Sequence, residues 1–230
     1  PSLSFFDPVR PAHPLSDAPV RSILFLKLRR LTATHCTMVS RLLPLLLLLP
    51  SASSLRLFGA RSAPAMSLSA STVGAPLPDV TLYSCKPGYR RFTEVSLKAK
   101  CKDKMVALIG VPGAFTPGCS KSHVPSFVEA RAELELWGVE EIIVVATNSP
   151  EIMQQWGEYI GAQQAGVTFL SDYKGELALS LGALQEDAVF DRTSRFTLLV
   201  DDGEIAGVFV PEDGDASTTY APAVLAQLKA

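Results

Sequence analysis

Met105 to Cys119 reads M-V-A-L-I-G-V-P-G-A-F-T-P-G-C, and the fold turns on how this stretch divides. Its first part, Met105 to Val111, is an unbroken apolar run, as expected of a strand covered on both faces. Pro112 closes that run, because proline gives no N–H to a sheet and pushes the residue before it into extended backbone. Beyond Cys119, apolar residues at Val124, Phe127, Ala130, Leu134 and Trp137 keep close to helical spacing, which predicts a helix over 120–137. Strand, proline-bound loop and helix together place Cys119 in a first helical turn. Backbone N–H groups there lack intrahelical partners and the helix dipole is positive, so a thiolate is stabilised at that spot. A sulfur held ionised is a nucleophile.

Working outward, Val80 to Ser84 reads as a first strand, Lys86-Pro87-Gly88-Tyr89 as a turn, and Phe92 to Lys98 as either strand or short helix. Glu141 to Thr147 is nearly continuous and β-branched, a second covered strand. Asn148-Ser149-Pro150 supplies an N-cap and a first-turn proline for a helix to about Ile160. A short strand at Val167 to Leu170 and a helix at Gly175 to Leu181 follow. Phe196 to Val200 and Glu204 to Val210 flank Asp202-Gly203, a strong hairpin signal. A helix from Ala221 to Leu228 closes the chain. The pattern is an α/β domain with a mixed central sheet flanked by helices, in an order similar to the thioredoxin fold.

Composition separates the chain into two parts. The net charge of −2 over 230 residues conceals eight basic and two acidic residues up to Val73, against 13 and 21 from Gly74 on. Residues 1–73 are therefore read as a targeting segment and 74–230 as one folded domain, mildly acidic, without the basic patch nucleic acid requires. Within the leader, Met38 and Arg41 precede Leu42 to Leu49, closed by Pro50-Ser51-Ala52, a signal-peptide pattern too short to span a bilayer. Leu55 to Met66 is basic and free of acids, like a transit peptide. Signal followed by transit stretch suggests a bipartite plastid leader. A single mitochondrial or secretory presequence is the plain alternative, and a start at Met66 would give a cytosolic form.

Cys36, Cys85, Cys101 and Cys119 show neither C-x-x-C nor metal-ligand spacing, so no disulfide framework and no metal site is expected. Taken singly, Cys119 reads as a buried hydrophobe, Thr116 as a helix cap, Pro112 as a strand terminator and Arg195 as a surface charge. His123, four residues past Cys119 on the same helical face, suits a structural role better than a thiol hydrolase, since no Asn or Asp partner is evident. Gly113 and Ala114 look like room for substrate approach. Phe115, Phe127 and Phe190 read as core or dimer contacts, and Trp137 and Trp156 as packing.

Together these residues change meaning. P-G-A-F-T-P-G-C-S-K-S-H-V-P-S-F, Pro112 to Phe127, resembles the active-site segment of type II (peroxiredoxin-5-like) peroxiredoxins. The likeness extends over 74–230, through S-R-F-T-L-L-V-D-D-G-E-I around Arg195 and Tyr220-Ala221-Pro222. That resemblance implies a thioredoxin-like fold, no cofactor, and a thiol-dependent peroxidase acting on hydrogen peroxide and alkyl hydroperoxides in antioxidant defence. It implies Cys119 as peroxidatic nucleophile, surrounded by Thr116, Pro112 and Arg195, in a homodimer. It also implies a glutathione/glutaredoxin or thioredoxin partner, with no nucleic acid or membrane.

Departures from the family pattern concern the second sulfur. Animal relatives carry a resolving cysteine where this chain has Thr218, and plant-type relatives one where it has Val144. Cys85 and Cys101 match neither position, so recycling by an external thiol is expected. The alternatives are a peroxide-sensing switch or holdase with little turnover, and a thiol–disulfide oxidoreductase, which the missing C-x-x-C disfavours.

Overall fold

The computed structural model describes residues 68, 72–86, 88, 91–185 and 190–230. The signal-like and transit-like runs of the leader lie outside them, as do Cys36 and, from the turn read at Lys86 to Tyr89, Pro87 and Tyr89. Among the described residues, contacts with the domain reach ahead of Gly74, and Leu68 packs against one of its cores. Thr72 is buried, and the Gly74 N–H bonds the Ile205 carbonyl at 2.8 Å.

In chain order the elements are β1 (Thr81–Cys85), β2 (Phe92–Ser96), α1 (Leu97–Lys100), β3 (Met105–Gly110), a π-helical turn (Cys119–His123), α2 (Val124–Glu129) and α3 (Arg131–Leu136). There follow β4 (Val139–Ala146), α4 (Pro150–Tyr159), β5 (Thr168–Ser171), α5 (Glu176–Ser180), β6 (Leu184–Gln185) and β7 (Arg192–Thr193). β8 (Phe196–Asp201), β9 (Glu204–Phe209), a 3-10 turn (Ala216–Thr219) and α6 (Ala221–Lys229) complete the domain.

The ambiguous segment at Phe92 contains both elements. Ser96 ends β2 and its hydroxyl accepts the Ala99 N–H at 3.2 Å, starting α1. The helix expected over 120–137 is instead three pieces. Val124 N–H reaches back five residues to the Cys119 carbonyl, and Ala130, with ψ near 2°, separates α2 from α3. Periodicity missed this because Val124, Phe127 and Leu134 all bury into one core, so the apolar stripe runs on across the breaks. The hairpin is as expected. Asp202 and Gly203 both take positive φ, 48° and 79°, the backbone of a two-residue turn matched to strand twist.

One sheet of seven strands, ordered β2-β1-β5-β4-β3-β8-β9, organises the domain. β3, β4 and β5 are parallel; β8 returns antiparallel to β3, and β1 antiparallel to β5. Alternation along the strands builds two cores. Ala107, Ile109, Ile142, Val144 and Leu199 face α2, α3, α4 and α6, whereas Val106, Leu108, Ile143, Val145 and Leu198 face α1 and α5. Cys119 belongs to the first core and Cys101 to the second, on opposite sides of the sheet.

The β3–β8 register positions the site. Gly110 pairs with Phe196, so Arg195, one residue before β8, arrives beside the loop that leaves β3. Gly110 is required there because a Cβ would overlap the Phe196 ring. Gly110→Ala should therefore lower unfolding free energy by about 1–3 kcal/mol, the usual cost of overpacking, as urea denaturation will show.

Candidate active site

Val111 continues β3 by giving its N–H to the Val145 carbonyl (3.0 Å), and the chain then leaves the sheet at Pro112. The loop is held from the neighbouring strand. Asn148, just past the end of β4, accepts the Ala114 N–H on its side-chain oxygen at 2.8 Å. Ser149 stands at the cap position of α4 with Pro150 in its first turn, as the Asn148-Ser149-Pro150 run implied, while the Asn148 carboxamide is turned to the loop. Phe115 adopts φ of 60°, uncommon for a residue with a side chain, and its ring tilts against Tyr159 at 5.5 Å.

Thr116 links loop to helix. Its hydroxyl donates to the Gly113 carbonyl at 2.9 Å, and its own carbonyl accepts the Ser120 N–H at 2.9 Å. The hydroxyl proton thus points back into the loop, and the oxygen keeps lone pairs for a donor from outside. It does not cap the helix with its side chain, as the sequence suggested. Gly113 is buried, and a Cβ there would stand in ordinary contact, 3.4 to 3.6 Å, with Arg192, Thr116 and Asn148.

Cys119 is fully buried at the start of the helix, as the sequence implied. Its sulfur receives a hydrogen bond from Arg195 Nη2 at 3.3 Å. Gly118 lies against the same guanidinium nitrogen, where a Cβ would stand in ordinary contact at 3.4 Å. Arg195 is therefore not a solvent-facing charge. A half-buried guanidinium cannot shed its proton, so its positive charge is permanent beside the thiol. Pro112, half-buried, completes the loop on the strand side.

The second arm of Arg195 reaches a residue the sequence reading valued too little. Nη1 donates to His123 Nδ1 at 2.7 Å, while His123 Nε2 lies 3.0 Å from the Thr219 carbonyl and 3.3 Å from Thr197 Oγ1. The ring is fully buried and stacks on Tyr220. Burial, and then the guanidinium, push the imidazole from its usual value down to about 3, against the opposing pull of the Thr219 carbonyl. His123 is neutral and bonds Arg195, not the sulfur. The spacing of four from Cys119 was the available signal; what it lacked was the partner, 72 residues away.

Other expectations divide. Trp156 is packing, as read, but its indole N–H also donates to Ser120 Oγ at 2.9 Å, tying α4 to the residue after the thiol. Phe127 is core, whereas Phe115 and Phe190 are exposed, the latter under the Arg192 guanidinium at 4.2 Å. Val144 is buried in β4, and the Thr218 hydroxyl donates to backbone carbonyls of Val210 and Asp215. Among the described residues, no cluster of His, Cys, Asp or Glu could hold a metal ion, and no helix is long and apolar enough to cross a membrane.

Comparison with known proteins follows the same residues. The Redoxin family profile matches residues 72–224. Peroxiredoxin-2B of Arabidopsis thaliana is 36% identical over 159 residues, 68% of this chain and 97% of the relative. The chloroplastic Peroxiredoxin-2E-2 of Oryza sativa subsp. japonica is 35% identical over 161 residues, 68% of this chain and 72% of the relative. Among solved structures, reduced Prx3 of Vibrio vulnificus in complex with H2O2 superposes with a TM-score of 0.63 at 28% identity, covering 68% and 95% of the two chains. Peroxiredoxin 5 of Alvinella pompejana gives a TM-score of 0.60 at 25% identity, covering 68% and 97%.

The depressed His123 value has a consequence for stability. A base whose folded pKa lies below its unfolded one stabilises the fold fully above the unfolded value, near 6.5, and loses this contribution as pH falls toward 3. Asp172, its carboxyl raised to about 6 by burial, acts in the opposite sense over this range, so the His123 contribution is read from the difference between two proteins: from pH 6.5 to 4 the stability of wild type relative to His123→Phe should fall by on the order of a few kcal/mol in denaturant unfolding.

Proposed function

The chain belongs to the type II peroxiredoxins, thiol peroxidases with a thioredoxin-like fold, and from that membership we propose that Cys119 is its peroxidatic nucleophile. The observation that carries the reading is the buried Cys119 sulfur with the Arg195 guanidinium at 3.3 Å. A fixed positive donor in a site shielded from water favours the thiolate over the thiol.

The thiolate attacks the terminal oxygen of ROOH. An S–O bond forms as the O–O bond breaks, leaving Cys119 as a sulfenic acid while RO− takes a proton and departs as ROH. Arg195, still charged, meets the negative charge that moves from sulfur to the leaving oxygen. Thr116, its proton committed to Gly113, offers lone pairs to the hydroperoxide O–H and so orients it. Pro112 shields the sulfur from bulk water. Hydrogen peroxide and alkyl hydroperoxides are the substrates, and antioxidant defence the role.

Reduction by an external thiol, glutathione with glutaredoxin or thioredoxin, completes the cycle. The first thiol condenses with Cys–SOH, releasing water and forming a mixed disulfide; a second thiol frees Cys119 and leaves as the disulfide. Placement of the other cysteines supports this. Cys101 lies across the sheet, its thiol pushed up to about 11 by burial and by Glu141. Cys85 sits on β1, separated from β3 by β5 and β4. A disulfide needs Cα atoms within about 7 Å. Cys85 is raised as well, by burial and then by Glu151. These placements favour an external thiol over either internal one.

Cys119→Ser should abolish peroxide-dependent thiol consumption, and Cys85→Ser with Cys101→Ala should retain turnover supported by glutathione and glutaredoxin. Collapse of turnover in the double variant, in protein that still folds, would show that an internal thiol resolves the sulfenic acid.

A homodimer is the proposed assembly, supported by an exposed apolar patch beside the loop. Phe115, Ile152 and Tyr159 are each more than two-fifths exposed, and the last two share one face of α4. Tyr159→Glu should shift sedimentation from dimer to monomer. A plastid location through the leader is proposed too, in keeping with the chloroplastic rice relative.

A further inference from the structure

Arg195 points at Cys119 only as long as something holds its other arm. A guanidinium carries donors alone, so the group facing Nη1 must accept. His123 Nδ1 does so at 2.7 Å, and only one neutral tautomer allows it. If Nδ1 bore the proton, two donors would face each other at that distance and the guanidinium would be driven off the sulfur.

The chain forces the required tautomer from the far side of the ring. Nε2 lies 3.0 Å from the Thr219 carbonyl, which has no proton to give, so Nε2 must be the nitrogen that carries one. Thr197 reinforces the choice. Its hydroxyl donates to the same carbonyl at 2.8 Å, so toward Nε2, 3.3 Å away, it presents a lone pair. With both outer neighbours accepting, the single proton of the neutral ring stays on Nε2 and the lone pair on Nδ1. Tyr220 stacked on the imidazole fixes its plane.

We infer that Thr197 and the Thr219 carbonyl form a tautomer lock that makes His123 the positioning residue for Arg195, and through it sets how fully Cys119 is ionised. The lock is built from parts remote in sequence. Thr197 belongs to β8, Thr219 to the 3-10 turn before α6, and His123 ends the π-helical turn that Cys119 begins. The conformation of the 219–221 segment is therefore coupled to the reactivity of the thiol.

This inference rests on the reading of Cys119 as nucleophile, and its test is read first without peroxide. Iodoacetamide modification of the Cys119 peptide, followed by mass spectrometry at pH 7, reports the thiolate fraction whatever the protein's activity. His123→Phe keeps a ring on Tyr220 but removes the acceptor, and should slow alkylation and the second-order reaction with hydrogen peroxide about tenfold or more, the value of a hydrogen bond to a charged group. His123→Asn, whose side-chain oxygen falls near the Nδ1 position, should recover most of that loss. Thr197→Val, which never meets Arg195, should slow both reactions by about threefold. A His123→Phe protein that alkylates at the wild-type rate, or an Asn variant no better than Phe, overturns the inference. Where His123→Phe does not fold, Thr197→Val decides, and wild-type alkylation there overturns it equally. Normal alkylation effects with no peroxide reaction in any variant would instead condemn the peroxidase reading and leave the lock standing.

Discussion

A guanidinium fork with one tine on a sulfur and the other on an imidazole is the interaction around which the domain is arranged. Arg195 spans 3.3 Å to Cys119 and 2.7 Å to His123, and it does so inside the protein, where charge is felt more strongly than in water. Burying a cation without compensation is costly. Here the compensation is a lone pair on one side and an ionisable sulfur on the other.

Sheet geometry makes the meeting possible. Cys119 and Arg195 are 76 residues apart, joined through the antiparallel pairing of β3 with β8. A one-residue slip in that pairing would turn every β8 side chain to the other face. The register is held at Gly110, whose bare Cα receives the Phe196 ring, and by alternating burial of Leu198 and Leu199 in the two cores. Asn148 at the end of β4 and Trp156 on α4 fix the loop and the helix start from the opposite flank. Cys119 is thus supported by neighbours on rigid elements, as accurate positioning requires.

The same sheet separates the thiols. Cys101 packs among Leu97, Val106 and Leu181 on the far face, where burial keeps it protonated, while the near face holds Cys119. One domain therefore contains an inert cysteine and a cysteine with a cationic neighbour, distinguished by surroundings and not by residue type.

The order of strands and helices was legible in the sequence because burial imposes period on it: the continuous run of Met105 to Val111, the helical stripe from Val124, the Asp202-Gly203 turn. The position of Cys119 at a helix start followed from local signals alone. Not legible were the π-helical turn, which leaves the apolar stripe intact, and the turning of Asn148 toward the loop. His123 is the clearest case. Its spacing from Cys119 is written in the chain, but the accepting nitrogen is chosen by Thr197 and Thr219, and the donor comes from Arg195. Local sequence determined where Cys119 and its loop sit along the chain. Which proton sits on which nitrogen, and where a charge points, depends on distances between strands, and only the folded chain sets those.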